Sequence, residues 1–345
     1  MNSPRPRLDP AVADTRRAVR TLLARAVDET VLRPGDLVLV ALSGGPDSLA
    51  LAAAAAFEAP KQDLRAGAVV VDHALQAGSE AVATRASRQA AELGLAPVTV
   101  RRVVVGSDGG PEAAAREARH ASIAEVASST GAALVLFGHT LDDQAESVLL
   151  GLARGSGPDS LSGMAPLTRR DAPPAYGRPL LGVRRHTTRQ ACAAAGLAPW
   201  QDPQNDDPAF ARVRVRNDLM PALERALGPG VPEALARTAD QLREDSAALD
   251  HFAEEMAEDL AEHSEAGISL SVRELAANPP ALRQRLVRLA VEGEFGVTLS
   301  RVQTLEVCRL VTDWSGQGPI DLPGVRASRS GDRLAFSAGP DRPRG

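Results

Sequence analysis

At 345 residues the chain has material for two domains, and 44% hydrophobic with 24% charged residues is a core-forming composition that excludes a disordered or fibrous chain. A net charge of −5 excludes a uniformly basic nucleic-acid coat but leaves room for a local basic patch, and every one of the 39 cationic residues except Lys61 is arginine. Two distant cysteines, Cys192 and Cys308, exclude a zinc ribbon, cluster ligation and a disulfide framework; with no apolar run long enough for a membrane span or signal segment, a cytoplasmic protein is expected.

In chain order, a helix is expected from Asp9-Pro10 to about Val27, where Val12, Val19, Leu22 and Leu23 recur near helical spacing. An apolar strand, Leu37 to Leu42, ends in Ser43-Gly44-Gly45-Pro46-Asp47-Ser48 and passes at once into an alanine- and leucine-rich helix. Further strands are expected at Gly67 to Asp72, Pro97 to Val105 and Ala133 to Phe137, with helices at about Ser79 to Leu93 and Pro111 to Ser128 between them. Such alternation predicts an α/β fold, a doubly wound and mostly parallel sheet, with its site at the carboxyl ends of the strands. Those ends carry Ser43, Asp72-His73 and His139.

Residues 155–174 are rich in Gly, Ser and Pro and read as a loop over that site. Thr187 can cap a helix ending at Gly196, and 200–207 is polar loop. Beyond Pro208 the pattern is mainly helical: 216–227, 232–263, 279–294 and 300–312, closing on a small hairpin-like tail over 320–336. The expected organisation is an N-terminal helix (1–30), an α/β domain (31–216) and a mainly helical C-terminal domain with a short β tail (217–345).

The loop Ser43–Ser48 has the chemistry of an anion cradle. Its glycines let the backbone N–H groups approach a ligand, the following helix adds positive partial charge, and Ser43 and Ser48 add hydroxyls. A Walker loop is excluded because the only lysine, Lys61, follows Pro60; a dinucleotide fingerprint is excluded because two adjacent glycines replace three spaced ones. The string resembles the SGGxDS pyrophosphate loop (PP-loop) of the N-type ATP pyrophosphatases, which split ATP between its α and β phosphates.

A second constellation, Gly138-His139-Thr140-Leu141-Asp142-Asp143-Gln144-Ala145-Glu146-Ser147, leaves a strand and enters a helix. If helical throughout, it places His139, Asp143 and Glu146 on one face. It resembles the HxxDDQxET signature of the tRNA(Ile)-lysidine synthetases, with Ser147 for threonine. Val71-Asp72-His73-Ala74-Leu75 is similar to that family's VDHGL, and Glu112 to His120, with Arg116, to its AAREARY helix. Arg154-Gly155-Ser156-Gly157 and Arg178-Pro179-Leu180-Leu181 match RGSG and RPLL, while Asp202 to Asn205 and Phe210 to Arg216 resemble DPSN and FxRxRIR. The resemblance spans about residues 30 to 225; further on it is architectural, and no extra C-terminal domain of the longer members is expected.

What the resemblance implies is ATP-dependent attachment of free L-lysine to C2 of the wobble cytidine in a tRNA(Ile) with a CAU anticodon. ATP and Mg²⁺ are the implied co-substrate and ion, no membrane is involved, and a homodimer stays open. Ser43, Gly44, Gly45, Pro46, Asp47, Ser48, Asp72 and His73 are expected to bind ATP, with Asp47 and Asp143 at the metal. His139, Asp143, Arg116 and Arg212 are expected to serve catalysis, and Glu146, Arg178, Arg214 and Arg216 to meet lysine or tRNA. Arg184, Arg185 and Arg189 join Arg178, Arg212, Arg214 and Arg216 as an expected RNA-facing group. The alternatives are another PP-loop enzyme, thiolating tRNA or making amides, and a non-catalytic ATP-binding module.

Overall fold

The computed structural model describes residues 8–72, 78–103, 111–155, 157–170, 172–264 and 267–339, with 111–116, 204–205 and 264 described as backbone. The chain divides into two compact units, Met1–Leu242 and Arg243–Gly345. In the first, α1 (Pro10–Asp28) opens on Asp9, whose carboxylate accepts the Ala11 N–H at 2.8 Å, with Pro10 pre-set at the first helical position. Strand and helix then alternate: β1 (Leu37–Leu42), α2 (Pro46–Glu58), β2 (Arg65–Asp72), α3 (Ser79–Glu92), β3 (Val98–Arg102), α4 (Pro111–Thr130), β4 (Ala132–Leu136) and α5 (Leu141–Ala153). There follow a short α6 (Pro158–Leu161), β5 (Leu167–Thr168), β6 (Ala175–Gly177) and α7 (Arg185–Ala194). Then α8 (Ala211–Arg214) passes through a π-helical turn, Val215–Leu219, into α9 (Met220–Leu227).

The sheet order is β3-β2-β1-β4-β6-β5, parallel throughout except for the edge strand β5. The chain therefore winds outward from β1 through β2 to β3 and returns to lay β4 on the other side of β1. That reversal opens a crevice at the carboxyl ends of β1 and β4, where ligands bind in doubly wound sheets. Both faces of the sheet are covered, and the strand period assigns residues to each: Val38, Val40 and Leu42 pack with Leu22 and Leu23 of α1, Leu49 and Leu51 of α2 and Ala191 of α7, whereas Leu37 and Leu39 pack with Ile123, Val126 and Ala127 of α4.

The loop expected over 155–174 is more ordered than its composition suggests. Gln144 of α5 exchanges two bonds with Met164, donating to its carbonyl at 3.0 Å and accepting its N–H at 2.7 Å, and Arg178 donates to Ala165 O at 3.0 Å and Thr168 Oγ1 at 3.2 Å. Side chains from outside the segment thus satisfy its backbone, which composition cannot reveal.

α10 (Val231–Leu260) is followed in the second unit by β7 (Ala261–Ser264), β8 (Gly267–Ser271), α11 (Val272–Ala277), α12 (Pro280–Phe295), α13 (Arg301–Thr312), β9 (Ile320–Leu322), β10 (Val325–Ser330) and β11 (Arg333–Ala338). The expected terminal hairpin is part of a larger antiparallel sheet, β7-β8-β11-β10-β9. Its extra strands come from residues read as the end of a helix and the turn after it: Ile268 and Leu270 alternate inward beside Leu334 and Phe336, against Leu286, Val287 and Val291 of α12 and Val307 of α13. No helix among the described residues is long and apolar enough to cross a membrane.

Candidate active site

The turn after β1 is held open by its own polar atoms. Ser48 Oγ accepts from Ser43 N at 3.2 Å, lies 3.1 Å from Ser43 Oγ and donates to Gly45 O at 3.0 Å, so the two serines fix the loop as it enters α2. Gly44 has φ +83°, a left-handed value that a side chain would strain, and its carbonyl accepts from Trp200 N at 2.9 Å. Pro46 takes the first turn of α2, where its missing N–H leaves no helical bond unmade. Cys192 lies directly under this loop, its thiol donating to Pro46 O at 3.2 Å.

Across the crevice, Gly138 after β4 approaches the start of α2 so closely that a Cβ there would lie 3.0 Å from Ser48 N and 3.1 Å from Asp47 C and Ser48 Cα. The helix α5 then begins at Leu141, not at His139. Thr140 is its N-cap, accepting from Asp143 N at 3.4 Å while its own N–H and hydroxyl donate to Asp143 Oδ2 at 2.8 and 2.7 Å. The expected three-residue face is corrected accordingly: Asp143 and Glu146 share a helical face, while His139 precedes the helix and stacks on Phe137, ring centroids 5.9 Å apart.

These elements bring an acidic cluster against the loop, and arginines of α7 and α8–α9 close it. Arg185 Nη2 donates to Asp143 Oδ1 at 2.7 Å, its Nη1 to Glu146 Oε1 at 3.1 Å, and its Nε lies 3.9 Å from Asp47 Oδ2. Arg216 grips Glu146 with two bonds, Nε to Oε1 at 2.8 Å and Nη2 to Oε2 at 3.1 Å. Arg212 Nε stands 3.7 Å from Glu146 Oε2, and its Nη2 donates to Ser147 Oγ at 2.8 Å. Asp142 caps α7 by accepting Arg185 N–H at 2.7 Å and pairs with Arg184, which also donates to Glu233 at 2.5 Å. Thr188, fully buried, has its hydroxyl within hydrogen-bond reach of two acceptors, the Asp47 carboxylate and the Arg185 carbonyl.

Burial and the neighbouring Asp143 charge push the Asp47 carboxyl up to about 6, with the Thr188 hydroxyl and Arg185 and Arg189 pulling the other way. Asp143 is also buried, which acts to raise it, but Arg185 and the Thr140 N–H and hydroxyl hold it below the usual carboxylate range. The two acids are thus pushed apart, one carrying a firm charge and one poised. Burial and Asp47 push the Cys192 thiol up to about 12, and burial pushes Cys308 up to about 11, so neither is a ready thiolate.

Of the residues expected at the site, Ser43 to Ser48, Asp143, Glu146, Arg212 and Arg216 come together, with His139 and buried Asp72 at the ends of their strands. His73 and the Arg116 side chain lie outside the described residues. Arg178 instead clamps 165–168, and Arg214 donates to Pro208 O and Ala209 O at 2.7 and 2.8 Å. Arg184 and Arg185, expected to face RNA, are ion-pair partners with 27% and 12% of their side chains exposed. Unanticipated contributors are Gly138, Thr140, Asp142 and Thr188, with Glu233. One sequence signal did exist: two arginines at the start of a helix, where the macrodipole disfavours positive charge, imply acidic partners elsewhere.

Residues 15–223 match the PP-loop domain model and residues 270–335 the model of the TilS substrate binding domain. The tRNA(Ile)-lysidine synthase of Leifsonia xyli is 61% identical over 306 residues, covering 88% of this chain and 91% of that one. The chain belongs to the tRNA(Ile)-lysidine synthase family. Members from Streptomyces coelicolor (52% identity; 88% of this chain, 86% of that one) and Thermobifida fusca (50%; 91% and 94%) are similar over nearly the whole length. Among solved structures, the U34-tRNA thiolase NcsA from Methanococcus maripaludis shares the fold at 20% identity, with a TM-score of 0.56 over 68% of this chain and 80% of its own. Family membership makes the chain a PP-loop ligase acting in tRNA modification and accounts for the chemistry expected of the loop.

Proposed function

We propose that the protein joins free L-lysine to C2 of the wobble cytidine of a CAU-anticodon tRNA(Ile), through an adenylated cytidine, releasing pyrophosphate and AMP. The reading is carried by the acidic cluster of Asp47, Asp143 and Glu146 set against an ATP loop at the β1/β4 crevice: a cation-binding surface beside the phosphate that reacts. The loop N–H groups and the N-terminus of α2 hold the phosphates that leave as pyrophosphate. The cytidine O2 attacks the α phosphate, converting a poor leaving group into AMP; the lysine ε-amine then bonds to C2, the C2–O bond breaks, and the amine loses a proton to solvent.

His139 is assigned to the charge developing on the α phosphate, a role worth about 10²- to 10³-fold in rate. Glu146, with Asp143, receives the lysine ammonium; Arg212 is assigned to phosphate and Asp72 to the ATP side, the roles that the family resemblance gives also to Arg116 and His73. The donor set suits Mg²⁺: two carboxylates, Asp47 and Asp143, near enough to influence each other's charge, and Mg²⁺ usually takes one or two carboxylates with the remaining positions on phosphate and water. When bound there, the ion supplies neutralisation of triphosphate oxygens. For tRNA, Arg214 is exposed, while Arg178, Arg212 and Arg216 are half-buried. Cysteine-based thiolation is disfavoured by two buried, protonated thiols, one in each unit.

Pyrophosphate release from ATP should require the tRNA, and free AMP should accumulate only when lysine is added. Pyrophosphate release with lysine and no tRNA would favour an amide-forming enzyme instead.

A further inference from the structure

Arg185 stands where the ligand cation has to go. Its guanidinium bonds to Asp143 and Glu146 and lies 3.9 Å from Asp47, which are the three acids assigned above to lysine and Mg²⁺; the inference rests on that assignment. Glu146 is 1% exposed, and its oxygens are shared among Arg185 at 3.1 Å, Arg216 at 2.8 and 3.1 Å and Arg212 at 3.7 Å. Three hydrogen bonds from Arg185 and Arg216 already take three of a carboxylate's roughly four lone-pair positions, so this buried group holds an ammonium through more than one bond only if a guanidinium bond gives way. Arg216 holds Glu146 through a two-bond fork, the harder arrangement to break. Arg185 divides single bonds between two acids and, of the three arginines around Glu146, is the one paired with Asp47, on the loop that receives the triphosphate.

We propose that Arg185 is a specificity-determining residue that acts as a resident stand-in for the substrate ammonium. Triphosphate binding at Ser43–Ser48 draws its guanidinium off Asp143 and Glu146, and those acids then receive lysine. Lysine binding is thereby conditional on nucleotide, and by linkage lysine tightens nucleotide by the same factor.

The test is calorimetric titration of L-lysine into the full chain, with and without Mg²⁺ and a non-hydrolysable α,β-methylene ATP analogue. Wild type should bind lysine about 10-fold or more tightly with the analogue than without it. In Arg185→Gln the positions that Arg185 holds on Asp143 and Glu146 are released while Arg216 keeps its fork on Glu146, so lysine should bind the nucleotide-free variant and the ratio should fall to about one. Arg185→Lys, which keeps a charge in the cluster but lacks the fork, should give an intermediate ratio and decides the matter if the glutamine variant does not fold. A wild-type ratio retained in either folded variant overturns the role of Arg185. Absence of lysine binding to wild type in both conditions overturns the lysine assignment itself, and the stand-in with it.

Discussion

Asp47 shows most plainly how one side chain trades stability for chemistry. Its folded-state value of about 6 against an ordinary 3.8 means the charged form is disfavoured by folding: the cost is absent below about 3.8, grows as pH rises and is complete above about 6. Asp47→Asn keeps the shape and an acceptor for Thr188 while removing that charge. The nucleotide-free variant should therefore be more stable than wild type at pH 7.5, by about 1–3 kcal/mol in urea unfolding, with the gain disappearing near pH 4. It should also release no pyrophosphate. Lower stability at pH 7.5 would mean that the Arg185 and Thr188 contacts outweigh burial.

The loop residues were legible by spelling because the phosphate cradle depends on local backbone, which six letters specify. Arg185 and Thr188 were not, because their partners lie 39 to 43 and 141 residues away in sequence and the meeting is made by the sheet.

Among the elements, the junction of β4 with α2 sets the site most tightly. Gly138 lets the end of β4 rest on the backbone of Asp47 and Ser48, and backbone cannot move aside as a flexible side chain would. Gly138→Ala should cost about 1–3 kcal/mol in unfolding free energy and should lower the rate of pyrophosphate release more than it weakens ATP binding, by shifting the loop against α5. A variant with wild-type stability and rate would show that the junction relaxes freely.

Whereas α6, β5 and β6 fall in or just after the stretch read as a loop, element types from α1 to α5 followed from apolar runs and turn residues. Two boundaries did not. Helix α5 starts two residues after His139 because Thr140 and Asp143 form a reciprocal cap, which a spacing rule that treats the string as helical throughout overlooks. Strands β7 and β8 follow a long helical pattern; β8 is fixed by pairing with β11, more than sixty residues downstream, and β7 joins the sheet through β8, and local periodicity does not contain the long-range contact.

For the molecule as a whole, the acidic net charge of the chain sits beside a crevice whose own arginines, Arg184, Arg185 and Arg216, are used internally, balancing Asp47, Asp142, Asp143, Glu146 and Glu233. The crevice is thus charge-balanced before any ligand arrives, which favours exchange of one cation for another over simple addition. In the proposed reaction the cytidine O2, and no water oxygen, attacks the α phosphate. The most direct measurement uses a tRNA(Ile) carrying oxygen-18 only at O2 of its wobble cytidine, incubated with ATP, Mg²⁺, lysine and the enzyme, followed by mass spectrometry of AMP, pyrophosphate and nucleosides. Attack by O2 predicts heavy oxygen in AMP, none in pyrophosphate and a lysine-bearing cytidine at the wobble position; unlabelled AMP, with the heavy oxygen still on the base, would contradict it.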